Sequence, residues 1–135
     1  MTERRARRRP GENRKRLLEA GLIEFGLFGF HGASTAGIAA RADVPQPHVY
    51  ASFATKQELF LACVDRLREE LLGEVPDVRR GALSRLLYQA VAACRDPGMR
   101  DVLILGLVEL RESLGESRFE ALLAAGGSAL IDAQR

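Results

Sequence analysis

Apolar residues recur along the chain at the three- and four-residue intervals of amphipathic helices, and this pattern predicts an all-α fold. Leu18, Leu22 and Phe25 predict the inner face of a first helix over about residues 12–28, which Gly29 ends. Ser34 and Thr35 supply side-chain oxygens where a short second helix would start, and Ile38, Ala39 and Ala42 form its buried face. Asp43 suits a turn and Val44 plugs the space between helices. Pro45 and Pro47 fit the first turn of a third helix, whose amides lack intrahelical acceptors. Val49 and Phe53, four residues apart, face inward and leave Gln46, His48, Ala51 and Ser52 outward. Two short helices joined so tightly have the form of a helix-turn-helix, which presents its second helix to the major groove of DNA.

The pattern continues into a longer helix opened by a capping box of Thr55 and Glu58, carried by Leu59, Cys63, Leu67 and Leu71, and ended by Val75 and Pro76. A further helix holds Leu83, Leu86, Leu87, Ala90, Val91 and Cys94. Asp96 and Pro97 announce another, and its segment 102–105, apolar on all sides, predicts a central position. Ser117 and Glu120 repeat the capping spacing before a last helix with Phe119, Leu122, Leu123, Leu130 and Ile131, interrupted by Gly126 and Gly127. The predicted organisation is a basic disordered arm over 1–11 and a helix-turn-helix head with its linker helix over 12–72, the reading motif being 34–53. A C-terminal helical layer for dimerisation and regulation follows over 76–135.

Charge sharpens this picture. The net charge of +2 hides a basic pole: residues 1–16 hold Arg4, Arg5, Arg7, Arg8, Arg9, Arg14, Lys15 and Arg16 against Glu3 and Glu12. Beyond residue 60, acids outnumber basic residues. One end is suited to a polyanion and the other is not, which favours nucleic acid at the N-terminal end. Arg4, Arg5, Arg7, Arg8 and Arg9 form an arm for phosphates or a minor groove, or else a solvated tail. Adhesion to an anionic membrane is the weaker reading, because no large apolar residue interleaves the arginines.

Composition removes other classes. No apolar run approaches the roughly 18 residues that cross a bilayer, and no apolar segment follows the basic N-terminus before Leu17, so a cytoplasmic protein without membrane contact is expected. Cys63 and Cys94 lack metal-ligand spacing and read as reduced core thiols. The two histidines, His31 and His48, have no spacing to Cys, Asp or Glu that suggests cooperation, so no catalysis, metal or cofactor is expected. The glycine-rich stretch 26–32 has no preceding strand and the wrong spacing for a phosphate loop.

Residues 14–72 resemble the DNA-binding domain of the TetR family of bacterial transcriptional repressors. The resemblance rests on Phe25, Gly29 and Phe30, Ser34 and Thr35, Ile38 and Ala39, Ala42, Val44, Tyr50, Phe53 and Lys56, in unbroken order. Many members have glycine where Asp43 stands, serine where Pro45 stands and an apolar residue where Glu24 stands; Gln46 and Pro47 are shared with the tetracycline-responsive namesake. The resemblance implies a homodimer whose C-terminal helices pair across a two-fold axis and whose two heads occupy a palindromic operator in double-stranded DNA. It also implies release by a small-molecule effector. The layer from Val75 to Arg135 is shorter than the family's usual second domain, which makes an enclosed effector pocket unexpected unless both subunits line it. The ligand-binding residues and the effector are unknown. Tyr88, Gln89, Glu109 and Arg111 read as surface or dimer-seam positions.

Side-chain chemistry then assigns roles at the expected DNA surface. Gln46 suits paired hydrogen bonds to adenine, Pro47 contact with a thymine methyl, and His48 a base edge or a phosphate, with Ala51 on the same outward face. Thr35, Tyr50 and Lys56 suit phosphates, although Tyr50 equally suits packing. Lys56 stands in a first helical turn, where the dipole disfavours a cation and a bound phosphate would offset that cost. Arg41 lies on the polar side of the second helix and is expected in a solvated salt bridge. The sequence thus predicts a homodimeric repressor. The alternative is a shortened modulator that heterodimerises with a full-length relative.

Overall fold

The first helix, α1 (Glu12–Gly32), forms where Leu17, Leu18, Leu22 and Phe25 fall on one face, and all four are buried. The structure, a computed structural model, describes residues 8–135. Gly29 takes φ 77°, ψ 174°, a conformation open in practice only to glycine. The regular helix therefore ends at the predicted place, and one more turn runs on to Gly32. α2 (Thr35–Ala42) is capped by Ser34, whose hydroxyl accepts from the Gly37 amide at 3.0 Å. Asp43 closes α2 in the left-handed region at φ 56°, with the Val44 amide donating to the Ala39 carbonyl at 3.0 Å. The short polar side chain of an aspartate tolerates that conformation better than most, so it can stand where glycine is common.

α3 (Gln46–Ser52) buries Val49, and Phe53 after it is buried too. α4 (Lys56–Leu72) begins at the predicted capping box, with Thr55 Oγ1 accepting from the Glu58 amide at 3.0 Å. The return bond from Glu58 takes the amide of Ala54, one residue earlier than the motif's usual partner, at 2.9 Å. Leu59, Phe60, Cys63, Val64, Leu67 and Leu71 seal its inner face. Phe25, Phe30 and Phe60 form the centre of the head, with edge-to-face contacts from Phe60 to Phe25 at 5.0 Å and to Phe30 at 5.4 Å. Cys63 lies in this core, where burial pushes its thiol pKa up; Cys94 is half-buried, and both are free thiols.

The C-terminal layer consists of α5 (Asp77–Ala93), α6 (Arg100–Leu114) and α7 (Glu116–Ala133). Several expectations fail here. α4 stops at Gly73, before Val75 and Pro76. Asp96 and Pro97 do not open a helix: Asp96 Oδ1 accepts from the Gly98 amide at 2.8 Å within a turn, and α6 starts at Arg100. The central helix is α5, packed on α1 and α7, whereas α6 buries Leu103, Gly106, Leu107 and Leu110 and leaves Val102, Ile104 and Leu105 exposed. The segment is apolar on all sides, but only one side of α6 meets the rest of the chain.

Ser117 likewise caps nothing, because Gly115 at φ 87° already makes the joint and α7 begins at Glu116. Gly126 and Gly127 do not interrupt α7. A Cβ at Gly126 would lie 2.2 Å from the Ser84 carbonyl oxygen, so the glycine is there for close approach to α5. Head and layer are tied by charge: Arg79 on α5 donates to both carboxylate oxygens of Glu70 on α4, at 3.1 and 2.9 Å, and to Glu19 on α1. Arg66 flanks the same two acids at 3.7 and 3.6 Å. Hydrogen bonds to Glu19 and then Glu70 push the Arg79 guanidinium pKa up.

Candidate nucleic-acid interface

The outward side of α3 is the natural place to look for function, because Val49 and Phe53 fix which residues face solvent. Gln46, Pro47, His48, Tyr50 and Ala51 are all exposed along it. Arg14 lies with its guanidinium 4.8 Å from the centre of the Phe53 ring, covering that anchor from the α1 side. α3 is thus clamped from within and presents a polar outer face on a rigid base.

Three of the expected residues meet. Thr35 Oγ1 lies 3.1 Å from the Tyr50 hydroxyl, and Gln46 Nε2 donates to the same Thr35 oxygen at 3.4 Å. The start of α2 and the start of α3 are therefore joined through their hydroxyl and amide groups. Tyr50 is 53% exposed, so its ring is available at the surface rather than committed to packing. His48 sits on the other side of the helix, its Nδ1 3.4 Å from Nδ2 of Asn13 on α1. Pro47 and Ala51 lie between as small apolar contacts.

Lys56 stands apart from that cluster. It is half-buried, and its ammonium lies 4.8 Å from the centre of the Phe30 ring. Desolvation holds its amine below the ordinary value of 10.5. The Glu58 carboxylate already occupies one amide of the turn, that of Ala54, so a phosphate at this helix start would share it with an acid.

Arg4, Arg5 and Arg7 of the expected arm lie outside the described residues. Arg8 is held in place: its guanidinium donates to the Asp43 carbonyl at 2.7 Å and to Asn13 Oδ1 at 2.8 Å, with Asp43 Oδ2 at 3.4 Å. The arginine answers the one acid at the turn between α2 and α3. Arg9 is exposed, and its amide donates to Glu12 at 3.2 Å. Arg16 reaches the Ala42 carbonyl at 3.4 Å. Arginines at the start of α1 thus gather around the helix-turn-helix turn. Asn13 and the anchoring role of Arg8 escaped the sequence reading, since each partner lies 35 residues away and no local spacing signals it.

Arg41 makes the expected salt bridge, with Glu24 at 2.7 Å, and this accounts for an acid on α1 where an apolar residue would otherwise stand. Among the described residues no cluster of His, Cys, Asp and Glu could hold a metal ion, and no helix is long and apolar enough to cross a membrane. Between the end of α4, the start of α5 and α7 lies a cleft of about 680 Å³, lined by Leu71, Val75, Arg80, Arg118, Ala121 and Leu122 among others. It is partly open rather than enclosed. Of the four polar residues expected at the surface or a dimer seam, Gln89 donates to the Gly26 carbonyl at 3.3 Å and Glu109 pairs with Arg68 at 2.9 Å.

Residues 17–63 match the family model described as bacterial regulatory proteins, tetR family. Over 49 residues the chain is 43% identical to the uncharacterized HTH-type transcriptional regulator YdgC of Bacillus subtilis (strain 168), a segment that makes up 36% of this chain and 25% of that protein. A Mesorhizobium loti protein described as a TetR-family transcriptional regulator superposes with a TM-score of 0.57 at 20% identity, over 93% of this chain and 71% of the other. The multidrug binding protein EbrR, solved with imidazole, gives 0.53 at 23% identity, over 94% and 84%. At these identities the two structures establish a shared fold.

Proposed function

We propose, on the match of residues 17–63 to the family model of tetR-type bacterial regulatory proteins, that the protein is a sequence-specific DNA-binding regulator of transcription. It acts as a cytoplasmic homodimeric repressor on a palindromic operator, and a small molecule or another signal releases it. The observation that carries this reading is the outer face of α3: Gln46, Pro47, His48, Tyr50 and Ala51 stand exposed on a helix whose inner face is pinned by Val49 and Phe53. An α-helix so mounted fits the major groove, where amide and imidazole groups discriminate base edges. Thr35, Tyr50 and Lys56 serve phosphates, which set register without reading sequence. The basic arm adds salt-sensitive affinity.

Selection of bound fragments from random duplex DNA tests the proposal in one experiment. A symmetric pair of half-sites is the expected result, with Gln46→Ala losing about 1–3 kcal/mol at one base pair per half-site. Lys56→Ala should weaken all duplexes alike and lower the salt slope by about one. Absence of any duplex binding at low salt would overturn the proposal.

A further inference from the structure

The bond between Asn13 and His48 determines more than position. A neutral imidazole carries its proton on one nitrogen only, and which one decides whether the outward edge of His48 donates or accepts. An asparagine amide is ambiguous in the same way, since its oxygen and nitrogen can exchange places. Here a third group removes both ambiguities. Arg8 Nη1 lies 2.8 Å from Asn13 Oδ1, and a guanidinium has donors only, so the oxygen of Asn13 must face Arg8. The amide NH2 then faces His48 at 3.4 Å, and it can only donate. His48 Nδ1 must accept, which leaves the proton on Nε2.

From this geometry we infer that Arg8 and Asn13 are positioning residues that fix His48 as an outward Nε2–H donor, so that α3 reads an acceptor-bearing base edge at that point. Arg8 is itself fixed by the Asp43 carbonyl at 2.7 Å, so the sequence of contacts starts at the turn of the helix-turn-helix and ends on its reading helix. In the major groove, guanine N7 and O6, adenine N7 and thymine O4 accept such a donor, whereas the cytosine amino group does not. His48 alone would permit either choice; Asn13, held by Arg8, removes one. The base-reading half of this inference rests on the function proposed above. The tautomer half does not.

Nitrogen-15 NMR of the labelled imidazoles separates the two halves, measured without DNA at a pH where imidazole is neutral. His31→Gln assigns the signals, since the chain has two histidines. The expected spectrum shows His48 with a protonated Nε2 and an unprotonated Nδ1. Asn13→Asp keeps the acceptor for Arg8 but puts an acceptor before His48 as well, so Nδ1 should become the protonated nitrogen. Arg8→Met should free the Asn13 amide to turn and give a mixture. Unfolding midpoints of the variants check that the fold persists. A parent His48 protonated on Nδ1, or an Nε2–H form unaffected by Asn13→Asp, would overturn the inference. In the duplex selection, Asn13→Asp should remove the preference for an acceptor at one base position and leave the position read by Gln46 unchanged. Failure of the parent to bind any duplex would defeat the functional reading, while the nitrogen spectra would still decide the tautomer.

Discussion

The head and the C-terminal layer are built from helices of similar make, yet the two close their surfaces differently. In the head, Phe25, Ile38, Val49, Phe53, Leu59 and Phe60 are all buried, and side-chain oxygens of Ser34 and Thr55 cap α2 and α4, while α1 and α3 start without one. In the layer, α5, α6 and α7 start without a side-chain cap, and Val102 and Leu105 on α6 are 60% and 63% exposed. A reading head must hold a few side chains at fixed positions, which demands a complete core. The layer leaves large apolar residues in water instead, a surface whose chemistry suits contact with another apolar face.

The strongest way to break this contrast is to open the core of the head. Phe25 is fully buried with its ring 5.0 Å from that of Phe60, so Phe25→Ala removes a large side chain from a site that cannot collapse. A loss of about 3–5 kcal/mol is expected, read from the denaturant midpoint at unchanged slope. A loss below about 1 kcal/mol would show that the head tolerates a void and is not the rigid part.

The layer depends instead on close backbone approach, which two neighbouring glycines test in opposite directions. Alanine in place of helical glycine ordinarily gains about 1 kcal/mol. At Gly127 the nearest group, the Tyr88 ring, lies at 3.6 Å, an ordinary contact, so Gly127→Ala should show that gain. At Gly126 the new methyl would meet the Ser84 carbonyl oxygen at 2.2 Å, and backbone cannot swing aside as a side chain can. The clash wins there, and Gly126→Ala should cost about 1–3 kcal/mol. Equal effects in thermal melts of the two variants would mean that α7 is not seated on α5 as described.

Capping supplies a smaller test of the head. Thr55→Ala leaves the Glu58 amide without its acceptor at the start of α4 and should cost about 1 kcal/mol. Thr55→Ser should restore most of it. Should alanine prove neutral by the same midpoint measurement, the capping box would be incidental to where α4 begins.

These sites also show why the head was readable in the sequence and the layer was less so. Ser34, Thr55 and Gly29 act through neighbours within four residues, so their spacing announces them. Gly126 acts on Ser84, Arg8 on Asp43 and Asn13 on His48, pairs that only the folded chain brings together. For that reason Gly126 and Gly127 read as a break, residues 102–105 read as a centre, and Asn13 was not singled out. The exposed positions of Gln46, His48 and Ala51 were legible, because Val49 and Phe53 set the phase of α3 by local periodicity, whereas Ser52, expected on the same face, is half-buried. The bond from Thr35 to Tyr50 was not legible, since it joins residues 15 positions apart on different helices and no local spacing announces it.

The smallest effect is expected where the layer leaves its apolar residues uncovered. Leu105 keeps 63% of its surface in water, so replacing it removes little buried area, and the hydrophobic contribution scales with the area taken from water. Leu105→Ser should therefore move the unfolding free energy of dilute protein by no more than about 0.5 kcal/mol, in line with other surface substitutions. The same change at Leu103, on the buried side of α6, should cost several times more, because its neighbours in the core lose their contacts. The ratio of the two measures how one-sided α6 is. If Leu105→Ser proved as costly as Leu103→Ser in dilute solution, α6 would be covered on both sides within a single chain, and the contrast between a sealed head and an open layer would not stand.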